Sequence, residues 1–132
     1  MSELAKHRDH GKFLDQILKL DQNIRCAAIY DGKYHAKSQD GVREVFKEQE
    51  IKSSFSEAQD IWSFPTQMSI KIGKPRFTAT QYGEVNRITF PIGDVGLVLV
   101  ITELHIDVNK VVDNILETHQ ALENDVRGFF YR

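Results

Sequence analysis

One continuous stretch, FTATQYGEVNRITFPIGDVGLVLVITELHID over Phe77–Asp107, most constrains how this chain can fold. Three β-rich segments follow one another at Arg76–Gln81, Val85–Ile92 and Leu97–Leu104, and short turns separate them. The last segment is apolar on both faces, which predicts a central strand with helices on both sides. Such a meander forms either the floor of a ligand pocket or an edge that another chain joins, and the two alternatives imply different functions.

A helix and a hairpin are predicted before the meander. Apolar residues at helical spacing predict a helix over Gly11–Leu20. The segment NIRCAAIY has β character and ends at the dipeptide Asp31-Gly32, which favours a hairpin turn into a short second strand, KYHAKS. Because a lone hairpin is only marginally stable, this pair of strands and the meander must share one sheet.

Further helices are predicted between the hairpin and the meander, and again at the end of the chain. Asp40 is placed to cap a helix in GVREVFKEQE. Ser54 is placed to cap the next helix, which covers Ser53–Ile72 and breaks near Pro65. Asp107 is placed to cap the last one. The order predicts an α+β fold, namely one five-stranded antiparallel sheet with helices on both faces.

Length and composition indicate one domain over residues 1–132, with residues 1–11 frayed and residues 123–132 forming a C-terminal tail. The net charge of −2 gives no positive excess, so neither nucleic acid nor a membrane surface is an expected partner. The N-terminal residues are polar, and the longest apolar run, Gly96–Ile101, is too short to span a bilayer. We therefore expect a cytoplasmic protein.

Two groups of residues have spacings that a metal site can use. His7 and His10 lie three residues apart, but no third ligand follows them nearby. Glu103, His105 and Asp107 alternate at a strand end, where three ligands could bind a divalent ion. A solvated helix explains the first pair, and a polar strand end with Asp107 as a helix cap explains the second group. We expect no metal and no cofactor.

Candidate nucleophilic and aromatic sites also have simpler explanations in ordinary packing. Cys26 could pair with His35 across the hairpin, but a small core residue is the commoner role for a lone cysteine. Trp62 could line an aromatic pocket, although packing of its helix on the sheet is the simpler interpretation. No carboxylate pair and no Ser–His–Asp set stands out, so we expect no catalytic residue.

The sequence resembles a family of small, uncharacterised proteins of ammonia-oxidising archaea over about Leu14 to Leu116. The resemblance is carried by Leu20–Ser38, the isolated Trp62, Ile72–Asp94 and Val100–Asp107. Within these segments the composite pattern comprises Tyr82, Arg87, Ile88, Thr89, Phe90 and Pro91. The family pattern has tyrosine where Phe77 stands here. This resemblance implies a source and a compartment but no activity.

The order of elements also resembles the roadblock/longin/profilin-like group. The stretch IRCAAIYDGKYHAKS is similar to the roadblock pattern of an apolar strand, an Asp-Gly turn and a short second strand. The resemblance implies a non-catalytic module that dimerises, often through its central helix and the following edge strand, and that regulates or scaffolds small GTPases and motors. The predicted break at Pro65 departs from a simple roadblock helix. PAS and GAF sensor domains share a related layout.

The leading hypothesis is a non-enzymatic, homodimeric, roadblock-like scaffold for an unidentified protein partner, with a small GTPase as one candidate. The alternative is a PAS/GAF-like sensor with a ligand between the Trp62 helix and the sheet, and a third hypothesis is a metal-assisted enzyme at Glu103 and His105. In the leading hypothesis the strand from Arg76 is a sheet edge, and Thr78→Pro weakens association while leaving the fold largely intact. The candidate interface residues are Phe46, Phe55, Trp62, Arg76, Thr78 and Thr80.

Overall fold

The computed structural model describes residues 10–42, 46–63, 67–92 and 96–130. The elements follow the predicted order, with the middle helix divided in two. They are α1 His10–Leu20, β1 Ile24–Tyr30, β2 Tyr34–Ser38, α2 Glu48–Ser63, α3 Gln67–Ile72, β3 Thr78–Gln81, β4 Val85–Ile92, β5 Gly96–Glu103 and α4 Val108–Phe130. The predicted α+β class is confirmed.

All five strands form one antiparallel sheet in the order β2-β1-β5-β4-β3. The hairpin of β1 and β2 joins the meander where β1 pairs with β5, from Ile24 opposite Thr102 to Tyr30 opposite Leu97. This pairing confirms that the hairpin and the meander share a sheet. It also leaves β2 and β3 as the two edge strands.

Helices cover both faces of the sheet. α1 and α4 pack on one face and form the first core, whereas α2 packs on the other face and forms the second core. Alternate residues of β5 pack into the two cores. Val98 and Val100 face the first, and Leu97, Leu99 and Ile101 face the second. The prediction of a central strand covered on both sides is therefore confirmed, and full burial of each such side chain contributes roughly 1.5–3 kcal/mol.

The start of α2 differs from the prediction. Gly41 has a φ of 81° and the Val42 N–H bonds to the carbonyl of Gln39 at 3.3 Å, so the residues after Asp40 turn and do not begin a helix there. The helix begins at Glu48, where the Glu50 carboxylate accepts a hydrogen bond of 2.9 Å from the Lys47 N–H. This contact is one half of a capping box, and the glutamate that makes it lies in the first turn.

Ser54 does not cap a helix either. It lies inside α2, and its hydroxyl accepts a hydrogen bond of 3.0 Å from Arg87 of β4. The sequence around Ser54 matches a capping box, but it lies within one helix that runs unbroken from Glu48 to Ser63. Tertiary packing of Phe55 and Ala58 on the sheet extends the helix through the apparent start signal.

The predicted end of the helical segment at Ile72 is confirmed. α3 ends at Ile72, and Gly73 has a φ of 101° with its N–H bonded to the Ser69 carbonyl at 3.0 Å. A glycine in the left-handed region is a common helix terminator because it has no Cβ to clash. The strand predicted from Arg76 begins two residues later, at Thr78.

The last helix begins as predicted but ends later. The Lys110 N–H donates to the Asp107 carboxylate at 3.2 Å, which confirms Asp107 as the cap. The helix continues to Phe130, so most of the segment 123–132 is helical and not an irregular tail. Across the described part of the chain, no helix combines the length and apolarity needed to span a membrane.

Several predictions fall on residues outside the described ranges. They are the fraying of residues 1–9 with His7, residues 43–45 of the predicted helix in GVREVFKEQE, the break at Pro65 and most of the turn before Gly96. Residues 10 and 11, for which fraying is also predicted, lie in α1.

Candidate functional site

The edge strand β3 has one side free of sheet pairing. It pairs only with β4 in the described sheet, from Thr78 opposite Thr89 to Gln81 opposite Asn86. The hydrogen bond of 2.8 Å from the Tyr82 N–H to the Val85 carbonyl fixes which backbone groups point inward. Hydrogen-bonded pairs alternate along an antiparallel ladder, so Thr78 and Thr80 face β4.

It follows that Ala79 and Gln81 direct their backbone N–H and C=O groups away from the sheet. Both residues are exposed. Unpaired groups of this kind form a template to which another strand can add. The strand TATQ carries no charge, whereas the other edge strand, β2, carries Lys37, and a charged lysine is a common means of protecting an edge.

A polar chain of contacts joins this edge strand to the central helix. The Trp62 indole N–H donates to Thr89 Oγ1 at 3.2 Å, and Thr89 Oγ1 lies 2.9 Å from Thr78 Oγ1. Thr89 is buried and Thr78 is partly buried. Because the three side chains form one connected set, α2, β4 and β3 are held in a fixed relation at this end of the sheet.

A second polar contact lies beside the first. The Arg87 guanidinium donates to Ser54 at 3.0 Å and to Glu57 at 2.7 Å, and it also lies over the ring of Tyr82 at 5.7 Å from the ring centre. Thr80 is directly opposite Arg87 on β3. This part of the surface is therefore polar, and its side chains are connected to one another.

The structure brings together three of the six predicted interface residues, Trp62, Thr78 and Thr80. Phe55 is fully buried in the second core and is not available at the surface. Phe46 is partly buried against the same core. Arg76 forms an ion pair with Asp113 of α4. Phe55 and Arg76 are thus explained by the fold of a single chain.

Sequence reasoning missed two exposed isoleucines. Ile70 and Ile72 of α3 are 81% and 74% exposed, although both are large and apolar. The sequence pattern predicts only that both residues are helical. A signal for their exposure is that they lie in a short segment between Pro65 and Gly73, which leaves few apolar residues near them in sequence. Large apolar side chains left exposed can contribute to an interaction surface where they form part of a contiguous patch.

Glu103, His105 and Asp107 do not converge as a ligand set among the described residues. Glu103 accepts two hydrogen bonds from Arg25, at 2.9 and 3.1 Å. That contact with Arg25 outweighs partial burial and holds the pKa of Glu103 below its ordinary value. Asp107 caps α4, as described above. The hypothesis of a metal-assisted enzyme at these residues loses its geometric basis.

Cys26 belongs to the core. Burial raises the pKa of its thiol to about 11, against an opposing hydrogen bond with Ser38. In the register of the hairpin it lies opposite Ser38, whereas His35 lies opposite Ile29. Cys26 faces the second core and Ile29 the first, so the side chains of Cys26 and His35 are on opposite faces of the sheet. The alternative in which Cys26 pairs with His35 is therefore excluded.

A third group of titratable side chains does converge. His10 at the start of α1, Asp31 in the hairpin turn and His35 on β2 place their ligand atoms within 4.8 Å of one another. The distance from His10 Nε2 to Asp31 Oδ2 is 2.5 Å, and that from His35 Nε2 to Asp31 Oδ1 is 3.5 Å. Burial raises the pKa of Asp31, but the contacts with His10, Lys33 and His35 outweigh it and lower the pKa overall.

The comparisons with known proteins agree on the fold. No family model matches the chain, and no curated protein matches it. Among solved structures, a roadblock/LC7 domain from Streptomyces avermitilis superposes with a TM-score of 0.67 and 10% identity, covering 91% of this chain and 99% of that one. MglB from Myxococcus xanthus gives 0.60 and 11% identity, covering 87% of each chain.

The gliding protein MglB from Thermus thermophilus gives a TM-score of 0.58 and 8% identity, with 90% of each chain covered. At these identities the similarity establishes the fold alone. The chain has the roadblock/LC7 fold, and the resemblance inferred from the order of its elements is confirmed at that level.

Proposed function

We propose that this protein is a non-enzymatic interaction module that forms a homodimer through β3 and the adjoining helices α2 and α3. The dimer regulates or scaffolds a partner protein, and a small GTPase is the partner class that its roadblock fold favours. The observation that carries the proposal is the outward-facing backbone of Ala79 and Gln81 on an uncharged, exposed edge strand.

Addition of a second copy at this edge requires no hydrogen bond within the described sheet to break. Two β3 strands related by a twofold axis run antiparallel, and each outward-facing residue can then exchange backbone hydrogen bonds with its counterpart. Pairing of this kind joins two five-stranded sheets into one. The exposed Ile70 and Ile72 supply apolar surface that such an interface can bury.

The two edges of the sheet differ in a way that favours β3. Lys37 of β2 pairs with Asp15 of α1 at 3.0 Å, which places a solvated ion pair beside that edge. No charged residue lies within β3. A strand that joins β2 would meet these charges, whereas one that joins β3 meets threonine, alanine and glutamine side chains.

The ligand-sensor alternative requires a cavity between Trp62 and the sheet. Within the described residues, Trp62 packs against the second core and its indole N–H is bonded to Thr89 of β4, so the ring contacts the sheet directly at this point. A small cleft lies elsewhere, lined by Leu20, Ile106 and Lys110 among others. A cytoplasmic location and the relation to the archaeal family remain predictions from the sequence.

The test uses proline at matched positions on the two edges. Ala79 of β3 and Ala36 of β2 are both exposed alanines. The hydrogen bond of 2.8 Å from the Gln39 N–H to the Arg25 carbonyl fixes the β2 ladder, and the N–H of Ala36 then also points outward. Proline removes that N–H at either position without breaking a bond inside the sheet.

We expect Ala79→Pro to raise the dissociation constant of the dimer at least tenfold and Ala36→Pro to leave it unchanged, as measured by sedimentation equilibrium. Equal association of all three proteins contradicts the assignment of the interface to β3. The Thr78→Pro substitution suggested by the sequence is unsuitable, because the Thr78 N–H faces β4 and its loss destabilises the monomer.

A further inference from the structure

We propose that His10, Asp31 and His35 form a binding site for a divalent transition-metal ion of the zinc class. The site is distinct from the proposed dimer surface, since β2 and β3 are at opposite edges of the sheet. It also departs from the expectation, drawn from the sequence, that no metal binds.

The donor set suits such an ion. Two imidazole nitrogens and one carboxylate oxygen are the protein ligands of many three-ligand zinc sites, in which water completes the tetrahedron. Imidazole favours zinc, copper and nickel over magnesium and calcium, which prefer oxygen ligands. The preferred occupant is therefore a borderline ion and not an alkaline-earth ion.

The spacing of the ligand atoms is close to what a bound ion requires. Bonds of about 2.0–2.1 Å in tetrahedral geometry place neighbouring ligand atoms about 3.3 Å apart. His10 Nε2 lies 2.5 Å from Asp31 Oδ2 and His35 Nε2 lies 3.5 Å from Asp31 Oδ1. One ligand atom from each of the three residues lies within 4.8 Å of the other two. Small side-chain rotations bring these atoms into ligand positions.

The carboxylate of Asp31 is already oriented. The Lys33 N–H donates to Asp31 Oδ1 at 3.1 Å within the turn, and Gly32 at a φ of 102° allows the chain to reverse there. Outer hydrogen bonds of this kind fix metal ligands and strengthen binding. The side chains of His10 and Asp31 are 12% and 25% exposed, so the group is sheltered yet open to an entering ion.

The consequence for the fold is a cross-link between separate elements. His10 belongs to α1, Asp31 to the turn and His35 to β2, and their metal ligation would tie the start of α1 to the hairpin. A metal that binds only the folded chain raises its stability by an amount that grows with the metal concentration relative to the dissociation constant. Zinc is therefore expected to raise the melting temperature as well as to bind.

The experiment is isothermal titration of ZnCl2 into the full chain without a histidine tag. We expect one ion per chain and at least a tenfold loss of affinity in both His10→Ala and His35→Ala. The matched control is His105→Ala, because His105 is an exposed histidine outside the group. This variant should retain the affinity of the wild type.

Two further readouts keep the test independent of folding defects. Circular dichroism and the melting temperature without metal show whether each variant is folded, and visible absorption of bound Co2+ reports whether nitrogen ligands hold the ion in a four-coordinate site. No saturable binding by the wild-type chain would overturn the proposal. So would equal affinity in the folded His35→Ala and His105→Ala variants, since the three residues would then be an ion-pair network only.

Discussion

The indole N–H of Trp62 donates a hydrogen bond of 3.2 Å to the hydroxyl of Thr89, and the same hydroxyl lies 2.9 Å from that of Thr78. Through this shared oxygen, the central helix is connected across β4 to the edge strand. This directional contact adds to the packing of α2 on the sheet in fixing the position of the helix. The proposed interface, which combines the helix and the strand, depends on that fixed relation.

Replacement of Thr89 by valine tests this contact. The side chain keeps its shape but loses the hydroxyl, so the Trp62 N–H and the Thr78 hydroxyl lose their partner. We expect the free energy of unfolding to fall by about 1–3 kcal/mol. Urea denaturation followed by the fluorescence of the single tryptophan measures it. The exposed Thr80→Val should change stability by no more than about 0.5 kcal/mol, and equal effects at both positions would refute the role of Thr89.

β1 and β5 lie so close together at Gly96 that we expect this position not to tolerate a side chain. A Cβ at Gly96 would overlap the backbone carbonyl oxygen of Tyr30. The rigid backbone on both sides can relieve the overlap only by moving, so Gly96→Ala should destabilise the fold by roughly 1–3 kcal/mol. Gly83→Ala is the control, because the space around Gly83 is open. Similar melting temperatures for the two variants would show that the approach is not close.

Because the thiol of Cys26 is buried, we expect it to react slowly with alkylating reagents. Burial raises its pKa to about 11, so the thiolate that reacts with alkylating reagents is scarce at neutral pH. We expect iodoacetamide to modify Cys26 only when the protein unfolds, with a large increase in rate across the denaturation midpoint. Mass spectrometry measures the modified fraction over time. Rapid modification of the native protein at pH near 7 would contradict the assignment of Cys26 to the core.

The contact of Arg25 with Glu103 predicts a dependence of stability on pH. The pKa of Glu103 is lowered in the folded chain, so the unfolded chain binds more protons over the range between the two values. The stabilisation of the folded chain by the Glu103 carboxylate is complete above the unfolded pKa of about 4.3. It disappears as the pH falls through the lower pKa of the folded chain. Glu103→Gln should reduce the loss of unfolding free energy as the pH falls below about 4.3. Glu84→Gln, in an exposed turn, should leave that acid-side dependence unchanged. Parallel acid limbs in all three proteins would exclude the contribution.

The sheet could be predicted from the sequence because its determinants are local. Each element is encoded by a short pattern. These patterns are the alternating apolar residues in Val85–Ile92, the apolar run Gly96–Ile101 and the Asp31-Gly32 turn. The sharing of one sheet then follows from the instability of a lone hairpin. The predicted helix starts at Asp40 and Ser54 were wrong because capping signals are short and occur by chance. The packing of Phe55 on the sheet determines the extent of α2.

Residues that meet only through the fold were beyond sequence reasoning. His10 and His35 are 25 positions apart, which is the difference between 35 and 10. Asp31 and His35 are four positions apart, but they lie in a hairpin, where this spacing is not a helical ligand motif. Likewise, the direction of each N–H along β3 depends on the ladder that the Tyr82–Val85 bond fixes. Pattern identified the strand, but only the register identified Ala79 and Gln81 as its outward-facing residues.

We propose that this roadblock-fold protein associates with a second copy of itself through β3. Multi-angle light scattering of the tag-free chain at tens of micromolar is the decisive measurement, since a modest dissociation constant lies in or below that range. The wild type and Ala36→Pro should each have a mass twice the 15.2 kDa of the chain, and Ala79→Pro should shift toward the monomer. A wild-type protein that stays monomeric throughout this range would contradict it.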